Sequence, residues 1–250
     1  MQNLYLGTIG WSYNFWKGKF YPNKTASKDY LSYYTKQFNS VEVDSTFYRY
    51  PTQQTVESWK QQTTESFRFS LKFPQIITHV KMLRDYQYET DVFLDRVSLL
   101  GEKLGVLLMQ FPPSFGGERL PDLENFLQKL PSQHSYAVEI RNKSWLNKKF
   151  FSVLQNSKVA LAWTDSSLMA PINEVTSNFL YFRWEGDRKK VNGTLGIIEA
   201  ARDEDLKLEA EKIKPFLGKM AVFGYFGKYY SGYPPSDVAI LRTNRNASQP

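Results

Sequence analysis

The chain has 250 residues, 42% of them hydrophobic and 16% aromatic, which is ample for a large core, and α/β barrels of this length are single domains. Its formal net charge of +7 and pI near 9.3 suit anionic ligands or nucleic acid, although no basic run longer than Arg188-Lys189-Lys190 occurs. With no cysteine and two histidines, His79 and His134, disulfides, cysteine-ligated zinc or iron–sulfur sites and multi-imidazole metal clusters are excluded. Only a carboxylate-held Mg²⁺ or Mn²⁺ stays open as a metal; no metal ligand set and no cofactor is identified.

The opening MQNLYLGTIGWSY lacks a basic segment followed by a long apolar core, so no signal peptide is expected. No run of 18 apolar residues occurs, so no membrane span or membrane partner is expected, and a cytoplasmic protein is. Leu4–Gly10 predicts a first strand. It leads into an aromatic loop with Trp11, Tyr13, Trp16 and Tyr21. Asp29 opens a helix with Tyr30, Leu31, Tyr34 and Phe38 at helical spacing. The second strand is predicted over 40–46. In it Val41 and Val43 point one way, and Glu42 and Asp44 the other. Ser45, Thr46, Tyr48 and Arg49 follow at its exit. Val56 and Trp59 mark a helix near 53–63.

FRFSLKF, 67–73, predicts the third strand, with Phe67, Phe69, Leu71 and Phe73 on one face and Arg68, Ser70 and Lys72 on the other. Pro74 stops it. A loop with His79 precedes a helix at 90–103, with Thr90 as its N-cap. GVLLMQF, 105–111, reads as a strand buried on both faces. Leu123, Phe126, Leu127 and Leu130 give the next helix. YAVEIR, 136–141, is the fifth strand, followed by a helix with Phe150, Phe151 and Leu154. VALAWTD, 159–165, is the sixth, with a weak helix over 171–177. FLYFRWE, 179–185, is the seventh, followed by a glycine-containing loop. Asp203 opens a helix with Leu206, Ala210, Ile213 and Leu217. MAVFGYF, 220–226, is the eighth, and a short helix capped by Ser236 comes last. Residues 243–250 are expected to be a loose tail behind a barrel domain of residues 1–242.

Eight strands alternating with helices in this length give an α/β fold, a (β/α)₈ TIM-type barrel of one domain. A doubly wound open sheet is the alternative. It is disfavoured because GTIGWSY lacks the glycine spacing of a dinucleotide fingerprint.

With helices covering the apolar outer faces, Glu42, Asp44, Arg68, Lys72, Gln110, Glu139, Arg141 and Arg183 fall inside the barrel or at its mouth. As a site, Glu42, Asp44 and Glu139 are the candidate acid/base groups. Lys72, Arg141 and Arg183 are candidate anion clamps. The structural alternative is a buried salt-bridge network filling the lumen. Tyr13 and Trp16 offer a stacking wall for a sugar or a base, or else a hydrophobic plug. Tyr48, Arg49, His79, Gln110, Trp145, Asp165 and Lys228 lie at strand exits and complete the candidate ligand-binding set. His134 lies at the opposite end. No Ser-His-Asp, GxSxG or P-loop pattern is present. Two functions follow. One is an acid/base catalyst, such as a hydrolase, on an anionic phosphate- or sugar-containing small molecule. The other is a non-catalytic nucleic-acid or phosphate-ligand binder.

The segments GWSY (10–13), FNSVEVDSTFYRYP (38–51), FRFSLKFPQIITH (67–79), LGVLLMQFPPSF (104–115), AVEIRNKSW (137–145), FLYFRWEG (179–186) and SGYPPSDV (231–238) resemble the YecE-like family of domains of unknown function. The resemblance covers almost the whole chain and implies a TIM-type barrel. It supplies no catalytic residue, because the family's activity is not established. It implies a histidine where this chain has Asn142, another where it has Glu185, and paired asparagines around Gly227 and Lys228; the chain departs from the pattern there.

Overall fold

The alternation read from the strands decides which side chains enter the lumen. In the computed structural model, which describes residues 3–247, Val41 and Val43 pack outward while Glu42 points in. Eight strands form the sheet: β1 (Leu4–Thr8), β2 (Ser40–Val43), β3 (Arg68–Lys72), β4 (Leu104–Gln110), β5 (Ser135–Glu139), β6 (Ala160–Ser166), β7 (Phe179–Gly186) and β8 (Ala221–Tyr229). Between and after them run α1 (Tyr30–Tyr34), α2 (Gln53–Gln61), α3 (Gln87–Ser98), α4 (Leu120–Lys129), α5 (Lys148–Asn156), α6 (Asp203–Ile213) and α7 (Pro234–Ala247). Neighbouring strands are parallel in the order β1-β8-β7-β6-β5-β4-β3-β2, a single α/β barrel of TIM type.

The ring closes between β1 and β2 largely through side chains. The backbones share one bridge, Ile9 with Glu42, and the Gly10 N–H donates to the Glu42 carbonyl at 2.8 Å. Below it, Asn39 donates to Leu4 O (2.7 Å) and accepts from Leu6 N (3.0 Å), taking the place of a strand partner. The Tyr34 hydroxyl accepts from Thr8 N at 2.8 Å and donates to Ser40 O at 3.0 Å. The chains lie so close that a Cβ on Gly7 would stand 1.9 Å from Ser40 O.

Two apolar cores result. The larger lies between barrel and helices; the smaller fills the lower lumen with Val106, Leu108, Ala137, Tyr181, Phe223 and Tyr225. Arg68, at the β3 start, stacks on Tyr5 and donates to Glu65 O and Phe67 O; it belongs to the end opposite the mouth.

Local differences from the sequence reading have physical causes. The β2 strand stops at Val43, because the chain turns at once through Ser45–Phe47, where the Thr46 hydroxyl donates to Val43 O and Lys72 O. Helix α3 starts at Gln87, so Thr90 is not its cap but a buried residue within it. No helix occupies 171–177. There Thr176 reaches the edge of β6 through Leu161 N and Val159 O, and Glu174 O accepts from Trp163 Nε1. These side-chain bonds replace the helical ladder. The final helix starts at Pro234, so Ser236 lies within it. It runs through residues 243–247, which are therefore helical and not loose; the remainder of the expected tail, 248–250, lies outside the described residues.

A charged layer beneath a cavity at the mouth of the barrel

The lumen fills in layers upward. At mid-height Tyr225 is hydrogen-bonded to Ser40 (2.6 Å) and Ser70 (2.8 Å), and Tyr181 donates to Glu42 Oε2 at 2.7 Å. Above them lies a charged layer centred on Arg183. Its Nε and Nη2 grip Glu42 (2.9 and 2.8 Å), and its Nη1 reaches both Glu139 and Glu185. Arg141 closes the circuit, donating to Glu139 at 2.8 Å and to Glu185 at 3.0 Å. Three carboxylates thus share two guanidinium groups.

Burial and charge act differently on each carboxyl. Complete burial pushes Glu42 up, opposed by Arg183 and the Tyr181 hydroxyl. Burial would raise Glu139 too, but Arg183 and then Arg141 outweigh it and hold its carboxyl down at about 2. Arg183 is held well above its ordinary value: burial acts against its charge, and Glu139, Glu185 and Glu42 overcome it. Among the described residues no group of three or more His, Asp or Glu side chains is placed to hold a metal ion. The inner carboxylates converge on guanidinium groups instead.

A cavity of about 380 Å³ opens above this layer at the C-terminal ends of the strands. Its floor carries Arg141, Arg183 and Glu185. Asp44 and Lys72, paired at 3.2 Å, form one side, and the Lys72 ammonium lies 4.0 Å from the Phe47 ring. Arg188 and Lys228, from the segments after β7 and near the end of β8, form another. Among the described residues neither has a carboxylate partner; Lys228 instead lies over Tyr229 at 5.0 Å. Tyr13, whose hydroxyl donates to Ile9 O at 2.8 Å, and Tyr48, which is 68% exposed, supply aromatic surface.

Of the residues singled out in the sequence, Tyr13, Asp44, Tyr48, Lys72, Arg141, Arg183 and Lys228 line this cavity. Glu42 and Glu139 lie buried beneath it, with their oxygens engaged. Gln110 and His79 flank it: their side-chain nitrogens lie 3.3 Å apart, and the His79 ring meets Phe47 edge-on. Four residues are not in the site. Trp16 is fully buried in the aromatic loop between Tyr13, Phe20 and Tyr21. Trp145 is buried against Phe115, donating to its carbonyl at 2.6 Å. Both loops are plugs, because their indoles cover the edge of the interlayer core. Arg49 is exposed and does not line the cavity. Asp165 pairs in register with Trp184, one residue away from the inward pair Thr164–Arg183, so it faces outward. Glu185 and Arg188 were missed. Glu185 continues the alternation of Arg183 by two residues, which is the signal that places it inward.

Burial, with Lys72 and Arg141 nearby, lowers His79 to about 4. Its folded value lies below the unfolded one, so the unfolded state binds the proton first. Its contribution to stability is present above about pH 6.5 and is lost as pH falls toward 4. The imidazole proton resonances of His79 should therefore titrate near pH 4; a midpoint near 6.5 would show a solvated ring.

The family model described as "Protein of unknown function DUF72" matches residues 5–249. The chain belongs to the DUF72 family. Among similar curated proteins, the UPF0759 protein YecE of Escherichia coli is 35% identical over 145 residues, 58% of this chain and 51% of that protein. The UPF0759 protein YunF of Bacillus subtilis is 30% identical over 174 residues, 65% of this chain and 59% of that protein. The chain thus spans little more than half the length of the curated relatives it matches. A DUF72 protein from Thermotoga maritima has the same fold, with a TM-score of 0.82 at 24% identity, covering 99% of this chain and 100% of that one. One from Enterococcus faecalis gives 0.76 at 20% identity, covering 98% of each. None of these descriptions names an activity. Where the family resemblance implies a histidine, Asn142 caps the turn Lys143–Trp145, accepting from Ser144 N at 3.0 Å, while Glu185 completes the charged layer. Among the described residues no helix is long and apolar enough to cross a membrane.

Proposed function

We propose that this protein binds a small anionic ligand, a phosphate- or sugar-phosphate-type molecule, in the cavity at the mouth of the barrel. The observation that carries this reading is the pair Arg188 and Lys228, cations without carboxylate partners facing a cavity whose other charges are already paired. The exits of the seventh and eighth strands are where barrels of this type often hold phosphate. Tyr13 and Tyr48 offer a wall for the rest of the ligand. Asp44 is the carboxylate suited to proton transfer: its side chain is 36% exposed and Lys72 holds it in place, whereas Glu42 and Glu139 are buried and engaged in the charged layer. Cytoplasmic residence is part of the same proposal.

Calorimetric titration with inorganic phosphate, ribose 5-phosphate and ribose tests it. The phosphorylated compounds should bind and ribose should not. The double variant Arg188→Ala/Lys228→Ala should lose about tenfold or more in affinity, as expected for removing charge-assisted contacts. Equal affinity in the double variant, or no binding by either phosphate, would refute the reading. A second reading, nucleic acid at the same mouth, is favoured by exposed Tyr48 beside exposed Arg49 and by the net charge of +7. It predicts single-stranded oligonucleotide binding that weakens steeply with salt.

A further inference from the structure

The cavity at the mouth has a second polar end. Lys72 ends β3 and Arg188 follows β7; counted either way around the closed ring, those two strands lie four apart, on opposite sides of the barrel. Asp44 and Lys72 are paired at that far end at 3.2 Å, and both line the cavity. The pair keeps capacity for more. The bond to Lys72 engages Oδ1 of Asp44 and leaves Oδ2 to accept. The Lys72 side chain is only 9% exposed, and among the described residues its Nζ donates to Asp44 alone, although an ammonium carries three N–H donors. A nearly buried donor that lines a cavity calls for a partner from within it.

The other charges of the cavity are already matched. On its floor Arg141 and Arg183 serve three carboxylates, Glu42, Glu139 and Glu185. With Glu42 ionised that layer is one charge negative; with Glu42 protonated, the direction in which burial pushes it, the layer is neutral. Asp44 and Lys72 cancel each other. Two positive charges remain, Arg188 and Lys228, and they match one phosphate dianion. A second anionic group on the same ligand would meet no unmatched cation, and at the far end it would meet Asp44, a like charge.

We infer that the ligand is a monophosphate whose remainder is neutral and hydroxylated, a sugar or polyol monophosphate held across the mouth, and that Asp44 and Lys72 select it. This rests on the reading of Arg188 and Lys228 as the phosphate-binding end. Adjacent hydroxyl groups donate to Asp44 Oδ2 and accept from Lys72 Nζ, since a hydroxyl does both. A carboxylate in their place only accepts, and leaves Asp44 facing a negative charge. The pair is thus a filter against phosphorylated acids.

Three probes separate the parts. n-Butyl phosphate carries the phosphate alone, ribose 5-phosphate adds hydroxyl groups, and 5-phosphoribonate keeps hydroxyl groups but has a carboxylate in place of the aldehyde carbon. In calorimetric titration at neutral pH, ribose 5-phosphate should bind about tenfold or more tighter than either of the others. Asp44→Ala should remove that advantage, weakening ribose 5-phosphate about tenfold or more and leaving n-butyl phosphate unchanged. It also frees the Lys72 ammonium, so 5-phosphoribonate should tighten by about tenfold or more and become the preferred ligand of the three. A merely structural role for Asp44 would move all three together. Arg188→Ala/Lys228→Ala should weaken all three by a similar factor. If n-butyl phosphate binds and the other two bind no differently from it, the phosphate site stands and the selection by Asp44 and Lys72 falls. Folded Asp44→Ala that keeps the original order of affinities overturns it as well. If none of the three binds, both proposals fall.

Discussion

Replacing Arg183 with methionine should destabilise the protein by about 3–5 kcal/mol or more in urea unfolding at neutral pH, enough to unfold many domains outright. Removing one guanidinium leaves Glu42, 0% exposed, with no cation and only the Tyr181 hydroxyl, and leaves Glu139, 1% exposed, with Arg141 alone. The same network makes Glu42→Gln a stability variant. The new amide nitrogen must face either a guanidinium N–H or the Tyr181 hydroxyl, all of which now donate to Glu42. A loss below about 1 kcal/mol for Arg183→Met would show that water enters the layer. The pH dependence has a definite sign. Glu139 is held at about 2, below its ordinary 4.5, so its contribution is complete above the ordinary value and is lost as pH falls from there toward 2. The difference between Arg183→Met and the unmodified protein should therefore shrink in acid.

The second large effect belongs to the seam. In Gly7→Ala the new methyl would stand 1.9 Å from the Ser40 carbonyl oxygen, a backbone atom that cannot turn aside. Either β1 or β2 must move, and with them the hydrogen bonds through Tyr34 and Asn39. We expect a loss of about 3 kcal/mol or more, or failure to accumulate folded protein. Tyr34→Phe separates the steric part from the polar part. It keeps the ring packed against Phe38 and removes only the hydroxyl, leaving the Thr8 amide without its partner. Its expected cost is about 1–3 kcal/mol. If Gly7→Ala costs no more than Tyr34→Phe in the same urea titration, the close approach of the two strands is not what constrains position 7.

The architecture was legible because period-two alternation is a strong signal where one face meets helices and the other a lumen. It placed Glu42, Lys72, Glu139 and Arg183 inward. Burial outside a strand is not periodic, and there the sequence misled. Trp16 and Trp145 look like stacking surfaces, but each indole is absorbed by neighbouring rings that come from other segments. Asp165 ends a strand at the right end of the barrel, yet one residue of register decides whether it faces the mouth or the outside of the barrel. Whether the lumen charges form a site or a network depended on distances across the barrel, from Glu42 to Arg183, which no local pattern contains. The answer is divided by height: a closed network below, and a cavity with unpaired cations above.

The seam has a consequence for how the chain is made. β1 is made before the other seven strands, yet its backbone ladder is to the last of them, β8, Leu4 opposite Val222 and Thr8 opposite Phe226. Its other edge holds to β2 mainly by side chains, and Arg242, from the last helix, reaches across to Leu6 O and Gln37 O. During synthesis β1 therefore waits, half-held, until β8 has emerged. Such long-range pairing is slow. The aromatic segment that follows β1, held together by its own rings, is well placed to cover that waiting edge from strangers.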